Sequence, residues 1–325
     1  MRFLLGRSFI AALLAVCAWP LDMSAQSAED YYSLAMDSER QKQFETAFSH
    51  YEKSCSGGHS PGCMGAARML ADGEGVARNQ SRGRAYFETA CSLGNSVGCN
   101  WAGDMMLKGE GGPIDVARAR TFYLSGCDRG QAASCVEAGE LMELGKGGPK
   151  DISQALMLYQ KGCADGYARG CNLAGVVVKS EEGGKDEVAA RRYFDQACLG
   201  GYHNGCANFG QYLEKGIGGG KDAARARQIY QSGCSGFIMN TLSCYRLGAI
   251  LLTEDGGPRD AYEGAVALER VCTSEASGDE RLKANACFTL GKLFSVEFTE
   301  ADPTLAPHFF SKACDHGYQG EACGD

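Results

Sequence analysis

The 325-residue chain carries 32 Lys and Arg against 40 Asp and Glu, a formal net charge of -8, with 44% apolar and 22% charged residues. That balance is typical of a globular protein with ample core. The acidity excludes a nucleic-acid or anionic-membrane partner, since both are held by clustered Lys and Arg, and 17 cysteines exclude an ordinary cytosolic protein, whose thiols stay reduced.

The first segment is residues 1–25. Arg2 and Arg7 make a positive start, residues 8–21 carry no charge around the run FIAALLAVCAW, and small residues follow at MSAQSA. This pattern predicts a secretory signal cleaved after Ala25. The apolar run is shorter than the roughly 20 residues of a membrane span. No second such run follows, so no membrane insertion is expected after cleavage. Losing Arg2, Arg7 and Asp22 takes 32 basic and 40 acidic residues to 30 and 39. Loss of Cys17 leaves 16 cysteines, and an even number in a secreted chain predicts a disulfide framework. The expected location is secreted or periplasmic.

The remainder, residues 26–325, is one periodic unit. Its cysteines fall in pairs, 55/63, 91/99, 127/135, 163/171, 198/206, 234/244, 272/287 and 314/323. Successive first members lie 36, 36, 36, 35, 36, 38 and 42 residues apart. Other residues keep step. Four after the second cysteine stand Gly103, Gly139, Gly175, Gly210, Gly248 and Gly291, with Ala67 in the first case. Asn79, Asp115, Asp151, Asp186, Asp222, Asp260 and Asp302 follow, then a small residue four further (Ala119, Ala155), then a large one (Tyr123, Tyr159), then the next cysteine. Sustained spacing of four is one face of an α-helix.

Each unit therefore predicts two antiparallel helices. Helix A begins near the second cysteine and ends at a loop such as GEGGPID, because Gly and Pro break helices. The Asp caps helix B, where its carboxylate accepts orphan N–H groups. Predicted units are 29–55, 60–91, 96–127, 132–163, 168–198, 203–234, 241–272 and 284–314, with a C-terminal cap over 315–325. The pattern C..AG..M..GEGG..D...A...Y...C..G resembles the Sel1-like repeat, a relative of the tetratricopeptide repeat. Cysteine at both marks makes it similar to the secreted cysteine-rich subgroup known from Helicobacter. The resemblance implies an all-α, right-handed α/α solenoid of about eight disulfide-stapled helix pairs. It also implies a protein or peptide partner and β-lactam binding or hydrolysis as an alternative activity.

Two disulfide registers compete. The long one joins Cys63 to Cys91 within a hairpin and strands Cys55 and Cys323 unless the solenoid ends meet. The local one pairs all 16: Cys55–Cys63, Cys91–Cys99, Cys127–Cys135, Cys163–Cys171, Cys198–Cys206, Cys234–Cys244, Cys272–Cys287 and Cys314–Cys323. That count favours the local register, and the resemblance implies the same pairing.

No metal or other cofactor is expected. Close Cys pairs of zinc-site spacing are missing, and the five histidines, His50, His59, His203, His308 and His316, do not recur with the repeat. Catalytic residues are not identified: there is no Walker loop, no H-E-x-x-H, and none of S-x-x-K, S-D-N or K-T-G. The glycine runs recur after a helix in successive units, as turns do. Scaffold binding is the primary expectation, by a monomer with no catalysis of its own. The alternatives are the β-lactam hydrolase and an envelope protein that binds peptidoglycan fragments. Counting the second cysteine of each pair as zero, helix A keeps apolar residues at positions three, six and seven. The opposite face is then one, five and eight, and Asn100, Asp104, Glu140, Asn172 and Gln211 are candidate groove residues. Trp101, at position two, suits either a groove anchor or partial core burial.

Overall fold

The computed structural model describes residues 26–235, 239–275, 279–298, 302, 304–320 and 323. The expected secretory signal, residues 1–25, lies outside them. Sixteen α-helices follow in pairs. They are α1 (Ala28–Arg40) with α2 (Phe44–Ser56), α3 (Ser60–Asp72) with α4 (Gln80–Ser92), α5 (Ser96–Lys108) with α6 (Val116–Asp128), and α7 (Ala132–Glu143) with α8 (Ile152–Ala164). Then come α9 (Ala168–Val178) with α10 (Glu187–Leu199), α11 (His203–Lys215) with α12 (Ala223–Cys234), α13 (Thr241–Leu251) with α14 (Ala261–Cys272), and α15 (Glu280–Val296) with α16 (Leu305–Asp315). No strand occurs among the described residues. Each helix packs on the next along the chain, so eight hairpins stack as an α/α solenoid.

The even helices from α4 to α14 start where the recurring Asx residue caps them, whereas α2 follows Gln43 with no side-chain cap. Asn79, Asp115, Asp151, Asp186, Asp222 and Asp260 each accept the backbone N–H three residues on, at 2.9 to 3.0 Å. Asp302 departs from the expectation. It lies ahead of the cap position of α16, which is Thr304, and its carboxylate takes the N–H and hydroxyl of Thr304 at 2.9 and 2.7 Å in an Asx turn.

Within a hairpin the helices meet at a glycine. A Cβ on Gly103 would sit 2.7 Å from the ring of Tyr123, and one on Gly139, Gly175 or Gly210 would similarly strike Tyr159, Phe194 or Tyr230 at 2.7, 2.7 and 2.5 Å. Those four rings and the small residues Ala119, Ala155, Ala190 and Ala226 are all 0% exposed. The glycines thus give up about 1 kcal/mol of helix propensity each in exchange for ring-on-backbone contact.

Between hairpins the corners are short. Leu93, Gly94 and Asn95 alone link α4 to α5, Gly94 at φ 91° and Asn95 capping α5 through Gly98 N–H at 2.8 Å. Seven disulfides, Cys55–Cys63 through Cys272–Cys287, join the end of an even helix to the start of the next odd one, and Cys314–Cys323 ties α16 to the chain beyond. Their Cα–Cα separations are 4.3 to 5.6 Å. Helices come that near where the residue before the cysteine is small: Ala90 meets Gly98, Gly126 meets Ser134, Ala197 meets Gly205 and Gly233 meets Ser243, while Val271 stands before Cys272 at the longer α14–α15 corner. A second tie runs forward from the even helices. Arg84, Arg120 and Arg227 donate to the carbonyls of Pro113, Pro149 and Pro258, and Arg191 to that of Gly220, so each guanidinium holds the next loop at 2.7 to 3.3 Å.

Two stability outcomes follow from these contacts. Gly103→Ala is expected to lower stability by about 1–3 kcal/mol despite its better helix propensity, because the Tyr123 ring cannot retreat. Urea unfolding checks the sign. Replacing Cys91 and Cys99 together by Ser is expected to cost about 2.5 kcal/mol from the loop closed between them, read by the same titration.

Candidate binding groove on the inner helices

The odd-numbered helices form the inner layer. α1 approaches α3, and α5, α7, α9, α11, α13 and α15 each approach the next, whereas among the even helices α4 and α6 alone come comparably close. The one inner step without such an approach is α3 to α5. There the outer helices close together and the inner face opens.

Exposure on the odd helices falls at position five (Arg68, Ala249, Lys292), position eight (Lys179, Ser295), position nine (Asp72, Lys108, Lys215) and, at position two, Trp101, while position one, expected to be open, is half-buried or buried. Val136, Asn172 and Ala207, all at position one, are buried. The cysteine at zero and the glycine at four are themselves core, and counting them with positions three, six and seven moves the centre of the buried stripe by about 40° toward position one at roughly 100° per residue. Asn172 is accordingly 7% exposed and accepts the side-chain amide of Asn208 at 2.8 Å. Asn100 is half-buried, accepts the Ser134 hydroxyl at 2.9 Å and donates to Asp104 at 3.3 Å. Asp104, Glu140 and Gln211 stand half-buried on the inner face.

At the α3–α5 opening lies a cleft of about 710 Å³. Met36, Met64, Phe87, Trp101 and Met105 give it an apolar floor, and Arg68, Asp72, Arg78, Lys108 and Glu110 its charged rim. Trp101 is 47% exposed and stacks on Phe87 with ring centroids 5.8 Å apart, and Met36 is 39% exposed. Gly65 occupies on α3 the position that Trp101 occupies on α5, so the space beside the indole is left vacant. Gly65 is held by the Tyr51 ring, 2.6 Å from where its Cβ would be. Arg68 is locked by Glu39 and Glu74. The volume is that of a ligand-sized pocket, and methionines make such a floor adaptable.

Further along the inner face, tyrosines of the even helices reach between the odd ones to hold carboxylates. Tyr51 donates to Glu39 at 2.7 Å, Tyr123 to Asp104 at 2.5 Å, Tyr159 to Glu143 at 2.6 Å and Tyr230 to Glu214 at 2.8 Å. Where the odd helix lacks that acid, the ring loses its hydroxyl. Ala71 goes with Phe87, Ser295 with Phe310, and Lys179 with Phe194, over whose ring its ammonium sits at 5.6 Å. For Glu143 with Tyr159 and Glu214 with Tyr230 the pairing was present in the sequence as a match between position eight and the aromatic of the same hairpin, whereas Tyr123 faces Leu107 at position eight and takes Asp104 at position five. The match passes unnoticed when each column is read by itself. Burial pushes these tyrosine hydroxyls far above their ordinary pKa, and the accepting carboxylates push them further. Glu140 is also raised, first by burial, then by Glu137 and Glu143, against the pull of Arg169.

Gly94–Gly98 has the G-x-S-x-G spacing of a nucleophile elbow, but that turn joins a strand to a helix. Here Ser96 opens α5 directly after α4 and belongs to a corner. Among the described residues no cluster of three or more His, Cys, Asp or Glu is placed to hold a metal ion.

Stacked helical hairpins with a regular frame and varied inner positions define a repeat scaffold. The chain belongs to the Sel1 repeat family, whose repeat matches residues 28–59, 60–95, 96–131, 132–167, 171–202, 203–236, 241–268 and 284–318. A protective antigen present in uropathogenic Escherichia coli strains displaying an SLR fold superposes with a TM-score of 0.78 at 17% identity, over 90% of this chain and 62% of that one. This chain thus spans less than two thirds of that protein. A Sel1 repeat protein from Oxalobacter formigenes gives 0.70 at 18% identity, over 90% and 84%. Helicobacter pylori cysteine rich protein B matches at 24% identity over 43% of this chain and 96% of its own, with a TM-score of 0.33. No curated protein matches in sequence.

The tyrosine–carboxylate pairs set an alkaline limit. A hydroxyl whose pKa is raised on folding stabilises the fold fully below the unfolded value near 10 and loses that contribution as pH rises through the folded value. The urea midpoint is expected to fall above about pH 10, with ultraviolet titration showing Tyr51, Tyr123, Tyr159 and Tyr230 ionising only on unfolding. Tyr159→Phe should shrink the fall.

Proposed function

We propose that this protein is a secreted or periplasmic scaffold that binds a protein or peptide through its inner face, chiefly at the α1–α3–α5 cleft. The observation that carries this is a half-exposed Trp101 beside a vacant Gly65 position, in the one place where the inner helices splay. A large aromatic left open to solvent with room beside it is the kind of residue that dominates interface energetics. The frame around it is rigid, so little ordering is needed on binding. Eight disulfides suit an oxidising compartment, and no helix among the described residues is long and apolar enough to cross a membrane.

Of the two tryptophans, Trp19 falls in the expected signal, so Trp101 is the single reporter in residues 26–325. Its fluorescence is expected to shift to shorter wavelength when the partner binds. Trp101→Ala should keep its circular dichroism spectrum and melting cooperativity while losing at least about tenfold in affinity. Binding that ignores Trp101→Ala, or hydrolysis of a chromogenic cephalosporin abolished by a point change that leaves the fold intact, would sink this assignment.

A further inference from the structure

The chemistry next to the cleft narrows the partner, on the assumption that the inner face is the binding surface. One turn along α5 from Trp101 stands Asp104, and across on α7 stand Glu137, Glu140 and Glu143. They form one field, since Asp104, Glu137 and Glu140 all act on the Tyr123 hydroxyl, and Glu137 and Glu143 both act on Glu140. Against these four carboxylates the inner face offers Arg169, which reaches Glu137 at 2.6 Å and also pairs with Glu140. The other two carboxylates are fixed by neutral donors: Asp104 by Tyr123 and Asn100, Glu143 by Tyr159. A hydroxyl orders a carboxylate without cancelling its charge. Such groups are pre-aimed acceptors whose desolvation has been partly met already, and they gain most from an incoming cation. Of the neighbouring cations, Lys108 stands on the cleft rim one turn beyond Asp104, Arg68 is saturated by Glu39 and Glu74, and Lys179 sits over Phe194.

We propose that the partner segment carries a bulky apolar side chain for the α1–α3–α5 cleft and, close by in its sequence, a Lys or Arg that meets the carboxylates of α5 and α7. The spacing follows from geometry. Packed helices lie about 8–10 Å apart, so the gap between α3 and α5 lies one and a half spacings, roughly 12–15 Å, from α7, and an extended chain covers about 3.3–3.6 Å per residue. The cation therefore falls about three to five residues from the apolar anchor. An acidic or uncharged segment would fill the cleft and leave these carboxylates uncompensated.

The test is selection of a displayed random-peptide library on the oxidised chain, followed by calorimetry with a defined pair. One synthetic peptide carries Leu and, four residues on, two Lys, and its twin has Gln at both Lys positions. Selected sequences are expected to place Lys or Arg three to five residues from an apolar residue. The Lys peptide should bind at least about tenfold tighter than its twin at low salt, and the gap should close near 0.5 M salt, where screening is strong. The double variant Glu140→Gln and Glu143→Gln should narrow the gap by at least about threefold with the cooperativity of its melting curve retained, while Trp101→Ala weakens both peptides alike. Enrichment of apolar or acidic peptides without basic residues overturns this inference and leaves the scaffold standing. Self-association that Trp101→Ala abolishes does the same, since a second copy would then be the occupant. A library that yields no binder at all overturns both.

Discussion

The molecule depends on how near two helices of a hairpin can come. Glycine at position four of each odd helix from α5 onward removes the one side chain that would hold the partner helix off, and an aromatic or leucine side chain from the even helix lies on the bare backbone. Burial of that ring supplies the apolar contact of the pair. The same approach lets a para-hydroxyl emerge on the far side, within hydrogen-bond reach of the inner face. Fold and surface chemistry are therefore one arrangement: a bulkier position four would lift the ring and withdraw the hydroxyl from Asp104 or Glu143 together.

Stacking of hairpins obeys a different constraint. A repeat touches little beyond its neighbours, so stability accumulates as nearest-neighbour terms, and corners are where such an array would bend. The first five corners have three linking residues each and the last two six and seven, and every one of the seven carries a disulfide. The arginine that reaches forward to the next loop closes the opposite edge. With both edges tied, the inner face is held as a preformed surface, and the single splay at α3–α5 is a fixed feature of its shape. Surface ion pairs between successive even helices, such as Arg82–Glu52 and Arg118–Glu88, contribute little beside these ties.

Much of the frame was legible in the chain, because it is written many times over. The spacing of four, the recurring Asp and the glycine-rich loops each appear in nearly every unit, so a local exception such as Asp302 does not blur the pattern. Cysteine and glycine were not counted as core, although a disulfide and a ring-bearing glycine are both as buried as Met105 or Met106, and position one therefore passed as open surface where Val136, Asn172 and Ala207 are buried. The small residue before every paired cysteine but Cys272 was equally visible, and its meaning emerges only when two helices are seen to cross there. The cleft had no periodic signal at all. It arises from Gly65 and Trp101 occupying equivalent positions on adjacent odd helices, a contrast that a consensus averages away.

That contrast points to where recognition resides in a repeat protein. Residues that recur in all units serve the array, because each interface needs the same contact. Residues that break the recurrence without disturbing the core are free to differ, and they are informative in proportion to what it costs to leave them so. An indole held half in water forgoes burial worth on the order of a kilocalorie per mole or more. Glu140, whose ionisation is resisted first by burial and then by Glu137 and Glu143, forgoes electrostatic stability as well. Both lie on the inner face within adjacent hairpins, α3–α4 through α7–α8, while the remaining units repeat the frame around them. A solenoid stable enough to carry eight staples can tolerate two such costs side by side, and a partner that covers the indole and neutralises the acids would recover both at once.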